Sequence, residues 1–501
     1  MPNKLILAKR HITLLIISLF CLCTTELSAQ SEELLSRSEM EEDLNNLEEK
    51  LLKIHPALDF YESSRELPEI IAAVRASLPE SLSSIDFLLH IAPIIDATKC
   101  GHTGFNINSK RKFFGLVQKD VSGLFPLQLK IVEGLSFISK NLSVDTINVS
   151  DKMQLLRING ERTDEVLFKL ANLNLGSDGA NRLGEINFSR KYFMLAYHMF
   201  YGAQDSFNLE LKNLYNNTIT KVSVPAGSLK SMRKIRLARY PSLKMAPIQL
   251  RRIEGMPKVA VLDVNTFTNV KFDLWQLGYL RMMKKIFKIV EKENIDYLIM
   301  DLRGNPGGVV ANVTRLMKYT YDQSFVMYDR VSINRTFFKS DVGFFQKLGL
   351  FFRRKQKTQE AYILKRESGK KYKPKKRHRF DGMMVVLIDE GSFSAACTYA
   401  LQAKSRNRAV LIGGEAGGSY HIVSAGDSHN CKMKNSELSI RIPLLKIDYQ
   451  VDPDLQSILN GVVPDIIKHQ KIADFMNGKD SQLEAAVEMV KKHLLQSPSN
   501  N

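Results

Sequence analysis

The sequence predicts an α/β protein assembled from a helical layer, a β-rich module and a core of buried strands alternating with helices. Three observations predict it. Residues 32–98 carry helical periodicity, residues 115–225 alternate short apolar runs with turn residues, and from about residue 256 the pattern becomes strand, helix, strand. With 501 residues, 44% hydrophobic and 25% charged, the chain has an ordinary globular composition of two or three domains, which excludes a disordered or fibrous protein.

The first thirty residues read as a targeting segment. Lys4, Lys9 and Arg10 precede the apolar run Ile12 to Cys23, which is too short to span a bilayer, and the small residues Ser28 and Ala29 follow. We expect a signal peptide at 1–29, cleaved after Ala29, and an exported protein of the periplasm, cell envelope or medium. Cys21 and Cys23 lack the small preceding residue of a lipidated cysteine, Phe20 and Leu22 standing there instead. The three remaining cysteines, Cys100, Cys397 and Cys431, are too few and too scattered for a disulfide framework or structural zinc.

A helical domain is expected over 30–110. Leu44, Leu47, Leu51 and Ile54 form one apolar stripe, and Ile70, Ile71, Val74 and Leu78 continue the layer. It ends in Cys100-Gly101-His102-Thr103-Gly104, where two glycines break the helix and leave His102 on a turn. A β-rich module with a more helical insertion at about 165–202 is expected over 115–230. The α/β core is expected over 250–475. In it Val259 to Val264, Tyr297 to Asp301, Met383 to Ile388 and Ala409 to Gly413 read as strands, and 272–293 and Ser394 to Lys404 as helices. A C-terminal helix and tail occupy 476–501.

The net charge is +18, and loss of residues 1–29 leaves +16. The excess concentrates at 351–380, with thirteen Lys/Arg against Glu360 and Glu367, inside a stretch at 325–380 that reads as a basic loop interrupting the core. Such a loop is either simply solvated or a contact for anionic membrane or polysaccharide. An exported chain without a nucleic-acid-binding motif argues against nucleic acid. With no HExxH motif and no carboxylate–histidine cluster, neither a metal nor another cofactor is expected.

Two stretches bear on chemistry. In Ile388-Asp389-Glu390-Gly391-Ser392-Phe393-Ser394-Ala395, a buried strand enters a helix through a glycine turn. A serine hydroxyl there meets free backbone N–H groups and the positive end of the helix dipole, although either serine would also suit a plain N-cap. Asp301-Leu302-Arg303-Gly304-Asn305-Pro306-Gly307-Gly308 follows another buried strand, and its glycines let backbone amides approach a substrate. It lacks the Lys-Ser/Thr of a P-loop and the GxGxxG of a dinucleotide site.

Taken together and in order, these stretches, with Ile412-Gly-Gly-Glu415, Gly461-Val-Val-Pro-Asp-Ile466 and the histidine turn, resemble the tail-specific or C-terminal processing peptidases and the related tricorn core protease. The resemblance implies a ClpP/crotonase-like α/β serine peptidase core. It also implies a PDZ-like module, suggested by Leu155-Leu-Arg-Ile-Asn-Gly160, and a peptide or protein substrate. The family's nucleophile falls on Ser394, with Ser392 as a support residue. The oxyanion donors fall on Ala395 and on Gly307 or Gly308.

A serine nucleophile needs a base. The processing peptidases use a lysine after a glycine about twenty-five residues on, where this chain has Gly418-Ser419. Tricorn-like members carry an N-terminal histidine, which makes His102 the leading base, with His421 as its rival. Where tricorn-like chains often hold an orienting glutamate, this chain has Ser457 to Asn460. Asp452 and Asp454 are the substitutes, with Asp96 and Asp389 as further candidates. The alternative function is a binding homologue without catalysis. Cys397, a helical turn beyond Ser394, and Cys100 read as small buried hydrophobes rather than as nucleophiles.

Overall fold

A computed structural model of the chain describes residues 34–61, 63–105, 121–144, 148–171, 176–179, 181, 184–186, 192–241, 246–269, 277–340, 342–451 and 461–496. The expected signal peptide and the candidates Asp452 and Asp454 lie outside the described residues.

At the centre, Val259–Val264, Tyr297–Asp301, Met383–Ile388, Val410–Gly413 and Ile466–Ile467 pair in parallel, and Ile248–Arg252 adds an antiparallel edge. Both faces are covered, which is why these strands are continuously apolar. Val259, Val261, Tyr297, Ile299, Val385 and Leu387 pack with Ala486 and Val490 of the C-terminal helix Ser481–Gln496. Their alternate neighbours Ala260, Leu262, Leu298, Met300, Val386 and Ile388 join the large core that holds the helices Leu277–Lys292, Val310–Thr320 and Ala395–Ser405.

A second sheet orders Arg354–Lys357, Ala361–Leu364, Tyr328–Asn334, Ser439–Tyr449 and Ile422–Lys432, all antiparallel. Residues 325–380 are therefore not the loop expected from their charge: they supply three strands of this sheet and the helix Phe344–Phe351. Val331, Ser332 and Ile333 of Tyr328–Asn334 are buried in succession while Arg330 is exposed, so this strand lacks the alternation that would mark it in the sequence.

The N-terminal layer is helical as its periodicity predicts. Ser36 and Glu39 form a capping box at the start of Arg37–Ile54, and Met40, Leu44, Leu47, Leu51 and Ile54 are fully buried. The helix Ser84–Ala97 leads to the histidine turn, after which Gly104–Phe105 joins Ser439–Tyr449 as a short antiparallel strand. That pairing anchors the N-terminal layer to the second sheet beside the core. Residues 127–225 form a separate antiparallel sheet ordered Leu127–Val132, Leu135–Asn141, Gln154–Ile158, Ser206–Lys212 and Ile219–Pro225, flanked by the helix Thr163–Ala171.

Candidate active site

Two turns at the carboxyl ends of neighbouring core strands form the floor of the site. Asp389 Oδ1 ties them together, accepting from the amides of Gly304 at 2.7 Å and Gly391 at 3.0 Å. Ser392 Oγ donates to Leu302 O at 2.8 Å and accepts from Asp389 N at 3.1 Å. The buried Asn305 side chain donates to Val264 O at 2.7 Å, and its backbone carbonyl accepts from Phe393 N at 2.9 Å. Arg303 holds the outer side, pairing with Asp301 and with Asp480 before the C-terminal helix.

Ser394 sits where the second turn enters its helix, with φ 52° and ψ −115°. A positive φ costs a β-carbon-bearing residue on the order of 1–3 kcal/mol and persists only where the surroundings impose it. Its hydroxyl makes no capping bond to the helix. Instead Ser394 Oγ lies 3.0 Å from His102 Nε2, although the two residues are 292 positions apart.

His102 is held from several sides. Its ring stacks on Phe393 with centroids 4.8 Å apart, and its carbonyl accepts from Arg441 Nε at 3.0 Å. Nδ1 is buried without a hydrogen-bond partner among the described residues, 3.9 Å from Asp178 Oδ1. The side chain of Asp178 is 2% exposed. Its carboxylate accepts from Gly101 N at 2.9 Å and from Ser419 N at 3.4 Å. The segment carrying it is clamped in place by Asp178 N to Gly417 O at 3.0 Å and Gly179 N to Lys99 O at 2.9 Å. It passes so close to the histidine turn that a β-carbon on Gly101 would fall 2.4 Å from Ser177 N.

Burial, with the Arg441 guanidinium adding to it, pushes the imidazole down to about 3. Burial also pushes the Asp178 carboxyl up to about 7, against the Gly101 and Ser419 amides, which lower it. Above neutrality the pair is thus a neutral imidazole beside a carboxylate, the resting state of a general base.

The glycine turn backs directly onto the serine. Gly307 has φ 94°, and a β-carbon there would lie 2.8 Å from Ala395 N and from Ser394 Cβ. Its amide is already used, donating to Asn305 Oδ1 at 2.8 Å. The amides of Gly308 and Ala395 carry no hydrogen bond among the described residues.

Of the other candidates, His421 stacks edge-on against Tyr420, and its carbonyl accepts from Tyr449 N at 3.1 Å. Asp96 lies beside Lys99 at 3.5 Å. Cys397 packs beneath the turn with Sγ 3.2 Å from Ser392 O, and burial raises its thiol pKa. Burial, with Asp178 nearby, pushes the Cys100 thiol up to about 12. Cys100, His102 and Asp178 have ligand atoms within 4.8 Å of one another. Sequence reasoning missed Asp178. Its Ser-Asp-Gly context reads only as a turn, and no spacing connects it to the histidine.

Beside the two turns opens a cleft of about 1130 Å³. Gly304, Asp389 and Glu390 form one wall, and Glu133, Gly134 and Phe168 of the antiparallel module form the opposite one. Ser394 and His102 are not among its lining residues; the cleft borders the site through the turns that carry the serine and the glycines.

Residues 258–467 match the model of peptidase family S41. Over that stretch the chain is similar to the serine-type peptidases of this family. It is a serine-type peptidase, a hydrolase. No curated protein matches the chain in sequence. Among solved structures, mature CPAF complexed with lactacystin matches with a TM-score of 0.65 at 15% identity, covering 92% of this chain and 98% of that one. Mature CPAF matches with a TM-score of 0.62 at 15% identity over the same shares. The photosystem II D1 C-terminal processing protease matches more loosely, with a TM-score of 0.42 at 11% identity, covering 86% of this chain and 93% of that one. The S41 match spans both site turns, whereas His102 and Asp178 lie outside it.

Proposed function

We propose that the chain is an exported serine endopeptidase in which Ser394 is the nucleophile, His102 the general base and Asp178 the carboxylate that orients the imidazole. The observation that carries this reading is the 3.0 Å contact between Ser394 Oγ and His102 Nε2, made by a hydroxyl that caps nothing. Ser394 Oγ attacks the scissile carbonyl while Nε2 takes its proton. The Gly308 and Ala395 amides receive the oxyanion, and the imidazolium then protonates the departing amine. Water attacks the acyl-enzyme by the same route in reverse. Asp178 faces the charge that forms on the ring and needs only a small ring movement to accept from Nδ1.

Substrate enters as an extended chain. The antiparallel module acts as a PDZ-like unit that captures a flexible peptide end by strand addition and feeds it along the cleft. Export follows from the N-terminal charged and apolar segment, with cleavage after Ala29 and a final location in the cell envelope or outside it.

A fluorophosphonate probe tests the reading. Labelling of the native chain that Ser394→Ala abolishes and His102→Ala slows severely supports it. A folded protein that takes no label is instead a peptide-binding homologue.

A further inference from the structure

The helix Phe344–Phe351 turns its apolar side outward. Leu350 is buried, and Gln346 Nε2 donates to Ser428 O at 2.8 Å, which fastens the helix to the second sheet. Phe345, Phe352 and Phe344 are 85%, 73% and 70% exposed, and Leu348 and Phe351 are exposed beside them. Their spacing of three, four and seven residues places them on one side of the helix. A soluble protein rarely leaves so dense an apolar cluster in water without a use for it.

The cluster has a cationic rim. The Arg354 guanidinium lies 3.5 Å from the centroid of the Phe351 ring. Lys347 is on the helix itself, and Lys357, Lys365 and Arg366 are exposed on the hairpin formed by Arg354–Lys357 and Ala361–Leu364. The acids Glu367 and Asp427 are both taken up by Arg353.

We propose that this face docks on an anionic phospholipid surface, its phenylalanines entering the boundary between headgroups and acyl chains while the lysines and arginines meet the phosphates. Aromatic side chains flanked by cations are the combination such an interface rewards. A polysaccharide would use the cations and leave the phenylalanines in water. A second copy would bring two cationic rims together. No described helix is long and apolar enough to cross a membrane. It is independent of the peptidase reading, since none of these residues belongs to the site.

The test compares the full chain with F345S/F352S and with K357E/K365E in sedimentation with vesicles. One set mixes phosphatidylglycerol with phosphatidylcholine and the other is phosphatidylcholine alone. Unfolding midpoints matching the parent show that the variants are intact. Partitioning onto the mixed vesicles is expected to weaken tenfold or more in F345S/F352S, on the order of one to two buried aromatic rings. It should weaken in K357E/K365E, fall with salt and be slight on phosphatidylcholine alone. Tryptophan emission of F345W should shift to the blue on the mixed vesicles relative to the parent.

Equal partitioning of parent and F345S/F352S overturns the proposal, because the leader segment would then account for binding. No uptake by the parent overturns it too. So does retention on an anionic polysaccharide without vesicle binding, or a concentration-dependent dimer that F345S/F352S abolishes without vesicle binding.

Discussion

Replacing Asp178 by asparagine isolates what a charged carboxylate contributes to the Ser394–His102 pair. The native Oδ1 lies 3.9 Å from Nδ1. At the effective dielectric of about 20 that suits partly buried pairs, one positive and one negative charge at that distance attract by about 4 kcal/mol. The attraction is absent while the imidazole is neutral and present once it has taken the serine proton, so it acts on the transition state and not on the bound substrate. A loss of about 4 kcal/mol is ~10³-fold in rate.

Asparagine keeps the acceptor for Gly101 N but turns an NH₂ toward Ser419 N, at a stability cost of about 1–3 kcal/mol. The assay is acylation by a fluorophosphonate, or kcat/KM on an unstructured peptide, as a function of pH. Because the native carboxyl is raised to about 7, native activity should rise with pH through that value, and the limb should vanish in Asp178→Asn. A variant within about threefold of the native kcat/KM, with the limb unchanged and a native unfolding profile, would refute the assignment.

Other substitutions probe the frame. The carboxyl of Asp178 is raised in the folded chain, so the native state binds the extra proton between its unfolded value of about 4 and about 7. The Asp178 contribution to stability therefore falls as pH rises through that window, while the lowered imidazole of His102 contributes in the opposite sense, so across it the unfolding midpoint of Asp178→Asn should rise relative to that of the native chain. Gly307→Ala places a methyl 2.8 Å from Ala395 N at a φ that strains alanine. Labelling should drop at least ~10²-fold as the serine turn shifts, and native labelling rates would count against the close approach. Asn305→Ala leaves the buried Gly307 amide and Val264 carbonyl without their partner. Denaturant titration should show a loss of about 2–4 kcal/mol. Arg303→Ala strips Asp301 and Asp480 of their shared cation and should cost about 3–5 kcal/mol by the same measurement.

The parts of the fold that can be read from the chain are those where one physical requirement dominates the residue choice. Strands buried on both faces must be apolar throughout, so 297–301 and 383–388 announce themselves. A helix with one buried stripe must repeat every three or four residues, as Leu44, Leu47, Leu51 and Ile54 do. The serine and glycine turns are equally legible because close backbone approach demands glycine. Where two requirements overlap, the reading fails. Within 325–380, Tyr328–Asn334 buries Val331, Ser332 and Ile333 in succession, Arg354–Lys357 is almost all basic and Ala361–Leu364 is only four residues long, so none of these strands shows a clear alternation. Asp178 is invisible for another reason. Its place beside His102 depends on one segment lying across Gly101 and Gly417, a long-range contact that leaves no local periodicity.

The two-residue pairing of Gly104–Phe105 with Ser439–Tyr449 has a consequence for biogenesis. A ribosome releases the imidazole nearly three hundred residues before the alcohol it must meet, and the strand that seats the imidazole emerges later still. On the proposed reading, a chain that stops before Ser394 lacks the nucleophile and one that stops between Ser394 and Ser439 lacks the strand that seats His102, so hydrolysis waits until synthesis is nearly finished.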